Sequence, residues 1–288
     1  MAQAKPPITM VVKGISLTKC ETEVQSLAVP ASCIAPYSHM ISQDVNLLDV
    51  ATGKISRLPK LISDESISVV QFHPKFSDLV GPQAAFSLLL STQETTKNPM
   101  FNHICAYFPA REELNLTSNL LPMSDRARYP SILISRVVFK RDEHDEVVEV
   151  EWSKFRPPPT IPMPAAGTLY REGAIYCSQG NLSSKTGGLY YMAPGHPPEA
   201  IVTNYFGTDF NSPRSVAIAR DGSIWFMDTR YGLEQEFRPE PQLPSQLYRY
   251  DPKDGDLRAM ANDFVMPLSI ALGSHNTTVY VADGEEGK

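Results

Sequence analysis

Arg214 stands directly before a strongly apolar segment, where a charged side chain is unexpected. The stretch NSPRSVAIARDGSIWFMD, residues 211–228, predicts two strands joined by a tight turn at an Asp-Gly pair. A planar guanidinium at this position can hydrogen-bond a carbonyl, enol or phenolate oxygen of a substrate. The alternative is a structural ion pair with Asp209 or Asp228, and the sequence leaves both interpretations open.

Other side chains with chemical potential lie at the ends of predicted strands. His103 titrates near neutrality and could act as a general acid or base, although a lone histidine is more often a packed residue. Tyr231 follows the strand that ends at Asp228, and it could face a ligand or support the strand. The amides at such ends are either pocket walls or turn formers: Asn119, Gln179 and Asn181.

The sequence contains no GxSxG elbow, no HExxH motif and no glycine-rich phosphate loop. We therefore expect no nucleotide cofactor, and no nucleophile–base–acid constellation is visible. The four cysteines, Cys20, Cys33, Cys105 and Cys177, lack CxxC spacing, which argues against a zinc site or a redox pair. Buried, reduced thiols are the prediction, although two disulfides are an alternative.

Composition narrows the class of partner. The 288 residues are 42% hydrophobic and 20% charged, as in ordinary globular proteins, and the net charge is −6. Because no run of Lys and Arg occurs, we expect no nucleic-acid partner, and no apolar run reaches the roughly 18 residues of a membrane-spanning helix. The N-terminal MAQAKPPITMVVKGISL has two prolines and a Lys where a signal peptide needs an apolar core, which favours a cytoplasmic location.

A recurring pair of hairpins predicts an all-β fold, a β-propeller comprising residues 1–288 as a single domain. Outer hairpins start at Ser135, Gly188 and Gln246, roughly 50–60 residues apart, which is the period of a propeller blade. Between them lie more apolar hairpins typical of the inner strands of a blade: CAYFPAREELNLTSN, GTLYREGAIYCSQG, SVAIARDGSIWFMD and SIALGSHNTTVYVADG.

The number of blades is less clear from the sequence. The pattern predicts four blades, or five if SISVVQFHPKFSDLV and AAFSLLLST contribute strands. The final inner hairpin has no outer partner downstream. We therefore expect it to pair with the N-terminal hairpin at residues 45–59, which would close the ring and remove exposed sheet edges. A simply shortened chain is the alternative.

The second half of the chain resembles the gluconolactonase and senescence-marker-protein family, especially its fungal lactonase-like branch. The phrases SPRSVAIARDGSIWFMDTRYG, FRPEPQLPSQLYRYDPKDGDLRAMANDF and TTVYVADG carry the resemblance, with weaker matches in FHPKFSDLVGP and FNHICAYFPAREELNLTSN. The resemblance implies a six-bladed propeller. It also implies a calcium or zinc ion at the channel mouth, where the cation polarises a lactone carbonyl and activates water.

Carried over position by position, the resemblance implies that this metal site has degenerated. Arg214 stands where the family has a substrate-contacting Asn, and Leu268 stands where it has an Asn ligand. The family's early Glu corresponds to His103 or Ile104, and its later Asp falls beyond Lys288 or is lost. We therefore expect no metal cofactor, with Arg214 and His103 as catalytic candidates. The substrate-binding candidates are Leu268, Tyr231, Asn119, Gln179, Asn181 and Asp283.

Three functions remain open on this basis. The first is a metal-independent enzyme of secondary metabolism that guides cyclisation of a reactive small molecule, such as the hetero-Diels–Alder cyclases of tropolonic sesquiterpenoid pathways. The second is a metal-dependent lactonase with a rearranged site that uses Asp228 or Asp283 and holds calcium or zinc. The third is a non-catalytic binding propeller, marked by an apolar outer patch.

Overall fold

The computed structural model describes residues 100–121, 130–145, 147–182, 187–275 and 277–284, residues 90 and 98, and the backbone of five earlier strands. The chain divides into two compact units. The smaller unit comprises residues 1–7 and 30–91, and the larger comprises residues 8–29 and 92–288.

Strands are numbered in chain order. The five early strands are β1 (Met10–Ser16), β2 (Val24–Ala28), β3 (Asn46–Asp49), β4 (Lys54–Arg57) and β5 (Ser68–Gln71). The next eight are β6 (His103–Phe108), β7 (Glu113–Thr117), β8 (Ile134–Arg141), β9 (Val147–Phe155), β10 (Pro164–Tyr170), β11 (Gly173–Ser178), β12 (Gly188–Met192) and β13 (Glu199–Val202). The last eight are β14 (Asn204–Tyr205), β15 (Thr208–Asp209), β16 (Pro213–Ile218), β17 (Ile224–Asp228), β18 (Gln246–Asp251), β19 (Asp256–Ala261), β20 (Pro267–Leu272) and β21 (Thr278–Gly284).

The larger unit contains four antiparallel four-stranded sheets among its described residues, and the prediction of a β-propeller is confirmed. Three of the sheets run β6-β7-β8-β9, β10-β11-β12-β13 and β16-β17-β18-β19. Each joins one predicted inner hairpin to the predicted outer hairpin that follows it. A short hairpin of β14 and β15 precedes the third sheet, and a single helical turn, α1 (Tyr231–Glu234), follows β17.

The fourth sheet is built from both ends of the unit, but not from the hairpin predicted for this role. Its order is β2-β1-β21-β20, so β1 and β2 supply the outer strands. The prediction that residues 45–59 would pair with the final inner hairpin is therefore wrong. Val12 pairs with Ala282 and Ile15 pairs with Val279, so the β-branched stretch MVVKGIS is a strand. In the sequence this stretch was considered only in relation to a signal peptide.

In the smaller unit, β4, β3 and β5 form a three-stranded sheet in which β3 pairs with β4 antiparallel and with β5 parallel. The contribution of SISVVQFHPKFSDLV is confirmed in β5. The AAFSLLLST segment lies outside the described residues except for residue 90.

Apolar side chains fill the spaces between neighbouring sheets of the larger unit. Strands β6, β10, β16 and β20 lie side by side in that order, so they are the inner strands of successive blades. Ile175, Leu189, Phe226 and Tyr248 are fully buried between the second and third sheets. Fully burying a side chain of this kind contributes about 1.5–3 kcal/mol, so these contacts fix the inner strands.

Cys105 and Cys177 are buried free thiols, as predicted, whereas Cys20 and Cys33 lie outside the described residues. Burial raises the pKa of Cys105 to about 12, so this thiol stays protonated and unreactive at neutral pH. None of the helices described by the structure has the length and apolar character needed to cross a membrane.

Candidate functional site

Arg214 occupies a β-bulge at the start of the third inner strand. Pro213 pairs with Asp228 and Ser215 pairs with Met227, so Arg214 is the extra residue on β16. A bulge re-aims the side chain that it carries. Here the guanidinium enters the protein, and the residue is only 7% exposed.

Three residues that were predicted separately meet at this guanidinium. Nη1 of Arg214 donates to Oε1 of Gln179 at 3.5 Å, and Nη2 lies 3.3 Å from Nε2 of His103. The Tyr231 ring lies beneath the guanidinium, with 3.6 Å between Cζ and the ring centroid, a cation–π contact. The cluster of Arg214, His103, Gln179 and Tyr231, called the arginine cluster below, draws on the first three sheets.

The positive charge of Arg214 is not neutralised by a carboxylate among the described residues. Neither Asp209 nor Asp228 forms an ion pair with it, so the structure contradicts the alternative of a structural ion pair with either residue. Asp228 instead accepts hydrogen bonds from the backbone N–H groups of Asn211, at 2.8 Å, and Ser212, at 2.6 Å. Burial lowers the pKa of Arg214, and the adjacent Tyr231 partly opposes that effect.

One donor of Arg214 is unused. Its Nε–H is buried and has no hydrogen-bond partner within the described part of the chain. Leaving a charged group's donor unsatisfied in a low-dielectric interior costs free energy unless an acceptor is supplied. An acceptor atom that reached Nε would remove this cost.

His103 is a neutral imidazole in this arrangement. Burial and the neighbouring Arg214 charge lower its pKa to about 4. Because a guanidinium can only donate, Nε2 of His103 accepts the hydrogen bond and the ring proton lies on Nδ1. The lone pair that a general base would use is thus engaged by Arg214 in the absence of a ligand.

Gln179 is held in one orientation by the loop before β10. Its Nε2 donates to the carbonyl of Met163 at 3.1 Å, and its backbone N–H donates to the same oxygen at 3.2 Å. This fixes the amide with Oε1 toward Arg214, since Nε2 is already committed. Gln179 is a positioning residue for the guanidinium.

Asp228 and Asp283 occupy equivalent positions in the third and fourth sheets, each at the inner end of the second strand. Asp283 accepts the backbone N–H groups of Val265, at 3.0 Å, and Met266, at 2.7 Å, and it is 4% exposed. Both carboxylates therefore anchor the loop that leads into the inner strand of their own sheet. Burial raises the pKa of Asp228 to about 7.

The remaining predicted contacts lie at turns or on the neighbouring blade, and their proposed roles in binding remain predictions. Asn119 is exposed, and its Oδ1 accepts the N–H of Leu120 at 2.9 Å. The backbone carbonyl of Asn181 accepts Nη1 of Arg238 at 3.1 Å. Leu268 is the bulged residue of β20, half-buried, in the position that corresponds to Arg214.

Arg238 was not singled out in the sequence, yet it ties together the loops that carry the arginine cluster. Nε donates to the carbonyl of Asn211 and Nη2 to that of Phe210, both at 2.6 Å, while Nη1 reaches the Asn181 loop. The FRPEPQLP phrase that carried the family resemblance contains this residue, and that phrase was the available signal.

The inner-strand positions do not fit a divalent cation. The second residue of the inner strand is Ile104 in the first sheet, Ala165 in the second, Arg214 in the third and Leu268 in the fourth. None of these side chains supplies an oxygen or imidazole ligand, and one is itself a cation. No group of three His, Cys, Asp or Glu suited to a metal ion occurs among the described residues.

Curated relatives of this chain include two lactone-related enzymes. The lactonohydrolase oryL of Aspergillus oryzae is 30% identical over 131 residues, which is 43% of this chain and 30% of that protein. The gluconolactonase of Zymomonas mobilis is 30% identical over 87 residues, 30% of this chain and 24% of that protein. The resemblance to gluconolactonases is confirmed. This gluconolactonase-like chain thus matches less than a third of the length of either relative.

A gluconolactonase of solved structure, from Xanthomonas campestris, aligns with 64% of this chain and 54% of its own at 21% sequence identity and a TM-score of 0.45. No protein-family model matches the gluconolactonase-like chain.

Proposed function

We propose that this chain carries a metal-independent active site that binds a small carbonyl compound of the lactone class and holds the carbonyl oxygen on Arg214. The observation that carries the proposal is the buried guanidinium whose Nε–H has no partner among the described residues. A substrate oxygen that gains negative charge in the transition state supplies that partner. The names of the two curated relatives support the substrate class.

Arg214 and His103 can divide the chemistry of lactone hydrolysis between them. When the substrate oxygen takes the Nη2 hydrogen bond, the Nε2 lone pair of His103 is released. Water adds to the carbonyl carbon and gives a proton to Nε2, while Arg214 stabilises the charge on the carbonyl oxygen. Collapse of the tetrahedral intermediate breaks the ring C–O bond, and the imidazolium returns the proton to the leaving alkoxide.

The rest of the cluster positions these two groups. Gln179 holds Nη1 from one side and Tyr231 supports the flat face of the guanidinium, so Arg214 presents a fixed fork. Such preorganisation matters because the donors must already point at the oxygen on which charge develops.

Guided cyclisation is the second candidate, and the engaged lone pair of His103 favours it. As built, His103 Nε2 faces Arg214 and not open space, and no other general base contacts Arg214 among the described residues. A cyclisation or cycloaddition, including a hetero-Diels–Alder reaction of secondary metabolism, needs a polarised oxygen and orientation but no proton acceptor. Arg214 alone can supply the polarisation.

The test compares Arg214→Gln, Arg214→Lys and His103→Gln on glucono-δ-lactone, dihydrocoumarin and conjugated polyene ketones. Loss of a donor at a developing oxyanion typically costs about 100-fold or more in kcat, so Arg214→Gln is expected to lose activity to this extent and Arg214→Lys somewhat less. His103→Gln should abolish hydrolysis but leave a cyclisation nearly unchanged. The exposed Arg258→Gln is the matched control.

Three outcomes would contradict the proposal. Full turnover in Arg214→Gln would remove that residue from the chemistry. Activity that disappears with a chelator and returns with calcium or zinc would favour the metal-dependent lactonase. Tight binding of a ligand that is never turned over would favour the non-catalytic propeller. Thermal melting checks the fold. Arg214→Gln should change Tm little, because the lost contacts with Gln179, His103 and Tyr231 are offset by removal of a buried charge that has no ion pair.

A further inference from the structure

A second cavity lies at the opposite strand ends from the arginine cluster, between the first and second sheets. Glu113 begins β7, whose last residue, Thr117, pairs with His103. Gly173 begins β11, whose last residue precedes Gln179. The cavity is lined by the beginnings of both strands and has a volume of about 400 Å³, within the range of small-molecule sites.

A buried polar side chain that lines this cavity has an unused acceptor. Asn115 is 7% exposed, and its Nδ2 donates to the hydroxyl of Tyr176 at 3.3 Å. Its Oδ1 is buried and has no partner within the described residues. A hydroxyl or N–H group of a ligand would satisfy it. Because Asn115 is buried in the middle of a strand, its Asn-Leu-Thr sequon is not an accessible glycosylation site.

The rim of the cavity carries an excess of positive charge. Glu113 is 7% exposed, and its Oε2 accepts Nε of Arg136 at 2.9 Å and lies 3.5 Å from Nε of Arg111. Both guanidinium groups use the same carboxylate oxygen through Nε, and their Nη groups have no partner in the described part of the chain. Glu151 also acts electrostatically on Arg136, but its close ion pair is with Lys140. The Nη groups of Arg111 and Arg136 therefore remain as donors for an anionic ligand.

The cavity also has apolar lining residues. Phe108 and Met192 line the cavity, and the guanidinium of Arg111 lies over the Phe108 ring at 4.1 Å from its centroid. This contact holds Arg111 at the rim and leaves the apolar wall for the body of a ligand.

We propose that this cavity is a second binding site, for a small hydroxycarboxylate with an apolar body. The carboxylate would lie on the Nη groups of Arg111 and Arg136, the hydroxyl would donate to Oδ1 of Asn115, and the body would pack on Phe108 and Met192. The site shares no residue with the arginine cluster, so it does not depend on the function proposed there.

Mandelate carries all three features, and two analogues each lack one of them. Phenylacetate lacks the hydroxyl and mandelamide lacks the negative charge. Calorimetric titration of the full chain is expected to show mandelate binding at least about tenfold more tightly than either analogue, a difference of about 1.4 kcal/mol, because each analogue leaves one polar group of the site without its partner. Arg136→Gln should weaken mandelate and phenylacetate about tenfold or more, because both carry the carboxylate, and should leave the affinity for mandelamide nearly unchanged.

The controls separate this site from the arginine cluster and from loss of folding. Arg258→Gln and Arg214→Gln should each bind mandelate as the unaltered chain does, and circular dichroism must show that Arg136→Gln is folded. Arg111→Gln is the second variant if Arg136→Gln does not fold. Three results would overturn the proposal: no mandelate binding at millimolar concentration, equal affinity for all three compounds, or mandelate affinity lost in Arg214→Gln and kept in Arg136→Gln.

Discussion

Arg214 and Leu268 occupy the same register position in successive sheets, yet one is a buried cation and the other an aliphatic side chain. Ser215 and Ile270 link their strands, because the Ser215 hydroxyl accepts the N–H of Ile270 at 3.1 Å. The backbone register is thus the same in the two sheets, whereas the side chains at the bulge differ in charge and polarity. The bulged residue can therefore differ in charge and size between sheets while the register of the two strands stays the same.

At this scale the first prediction concerns His103. The pKa of about 4 lies below the usual 6.5, so the unfolded chain takes up a proton first and stability falls as the pH drops from about 6.5 to about 4. The full shift would correspond to about 2 kcal/mol at pH 5, and partial exposure reduces this to about 1 kcal/mol. Urea denaturation at pH 7 and pH 5 should show the unaltered chain losing about 1 kcal/mol relative to His103→Gln. The raised pKa of Asp228 acts in the opposite direction over this range, but it is common to both proteins and cancels in the comparison.

An NMR titration provides the control. One of the six imidazoles should titrate near pH 4, and its pKa should rise in Arg214→Gln because the neighbouring charge is removed while burial remains. A His103 that titrates at its ordinary pKa would contradict the contact with Arg214.

The candidate site could be predicted from the sequence only in part. Arg214 could be placed because it stands in a phrase shared with a known family, and His103 and Gln179 could be placed at strand ends. Their contact could not be predicted, because it joins residues 111 and 35 positions apart in the chain. Asp283 was predicted to bind substrate. The sequence could not distinguish this role from that of a backbone anchor, because a carboxylate at a strand end is equally typical of both.

At the scale of elements, the conformation of the loop after β11 requires a glycine, Gly180, because the Arg238 side chain lies directly against it. Gly180 has φ of +75°, and an added Cβ would lie 2.5 Å from Nη1 of Arg238. Arg238 in turn donates to the carbonyls of Phe210 and Asn211, two adjacent residues in the loop that enters the third inner strand. The position of Gln179 therefore depends on its neighbour having no side chain.

Gly180→Ala is expected to destabilise the protein more than Gly255→Ala. Gly255 has nearly the same φ, +76°, but an added Cβ there meets nothing within 4 Å. The backbone strain of about 1 kcal/mol is common to both variants, and the clash with Arg238 should add about 1–2 kcal/mol at Gly180 alone. Urea denaturation measures the difference, and equal losses would show that Arg238 moves aside freely.

The individual sheets were predictable because each inner hairpin is followed by its outer hairpin with strong turn signals. The fourth sheet was not, since its pairing joins segments whose local patterns contain no information about each other. Strand β1 combines β-branched residues with Lys13 and Gly14, a pattern that fits many partners equally well.

At the scale of the whole larger unit, β1 is a central strand between β2 and β21. Gly14 pairs with Gln25 on one side and Tyr280 on the other. Gly14→Pro removes a backbone donor from the interior of this sheet and is expected to cost about 2–4 kcal/mol. Gly14→Ala keeps the donor and is the matched control, with a change below about 1 kcal/mol. Thermal melting of both variants tests the pairing, and unchanged melting of Gly14→Pro would contradict it.

The pairing of β1 with β21 also governs when the protein can acquire its final form during synthesis. Strand β1 ends at Ser16 and β21 begins at Thr278, so the first strands leave the ribosome long before their partner has been translated. Until then the hydrogen-bonding edges of these strands are open to other chains. Chaperones that bind nascent polypeptides must therefore shield β1 and β2 until β21 has been translated. Translation pauses downstream of residue 28 should therefore lower the yield of native protein.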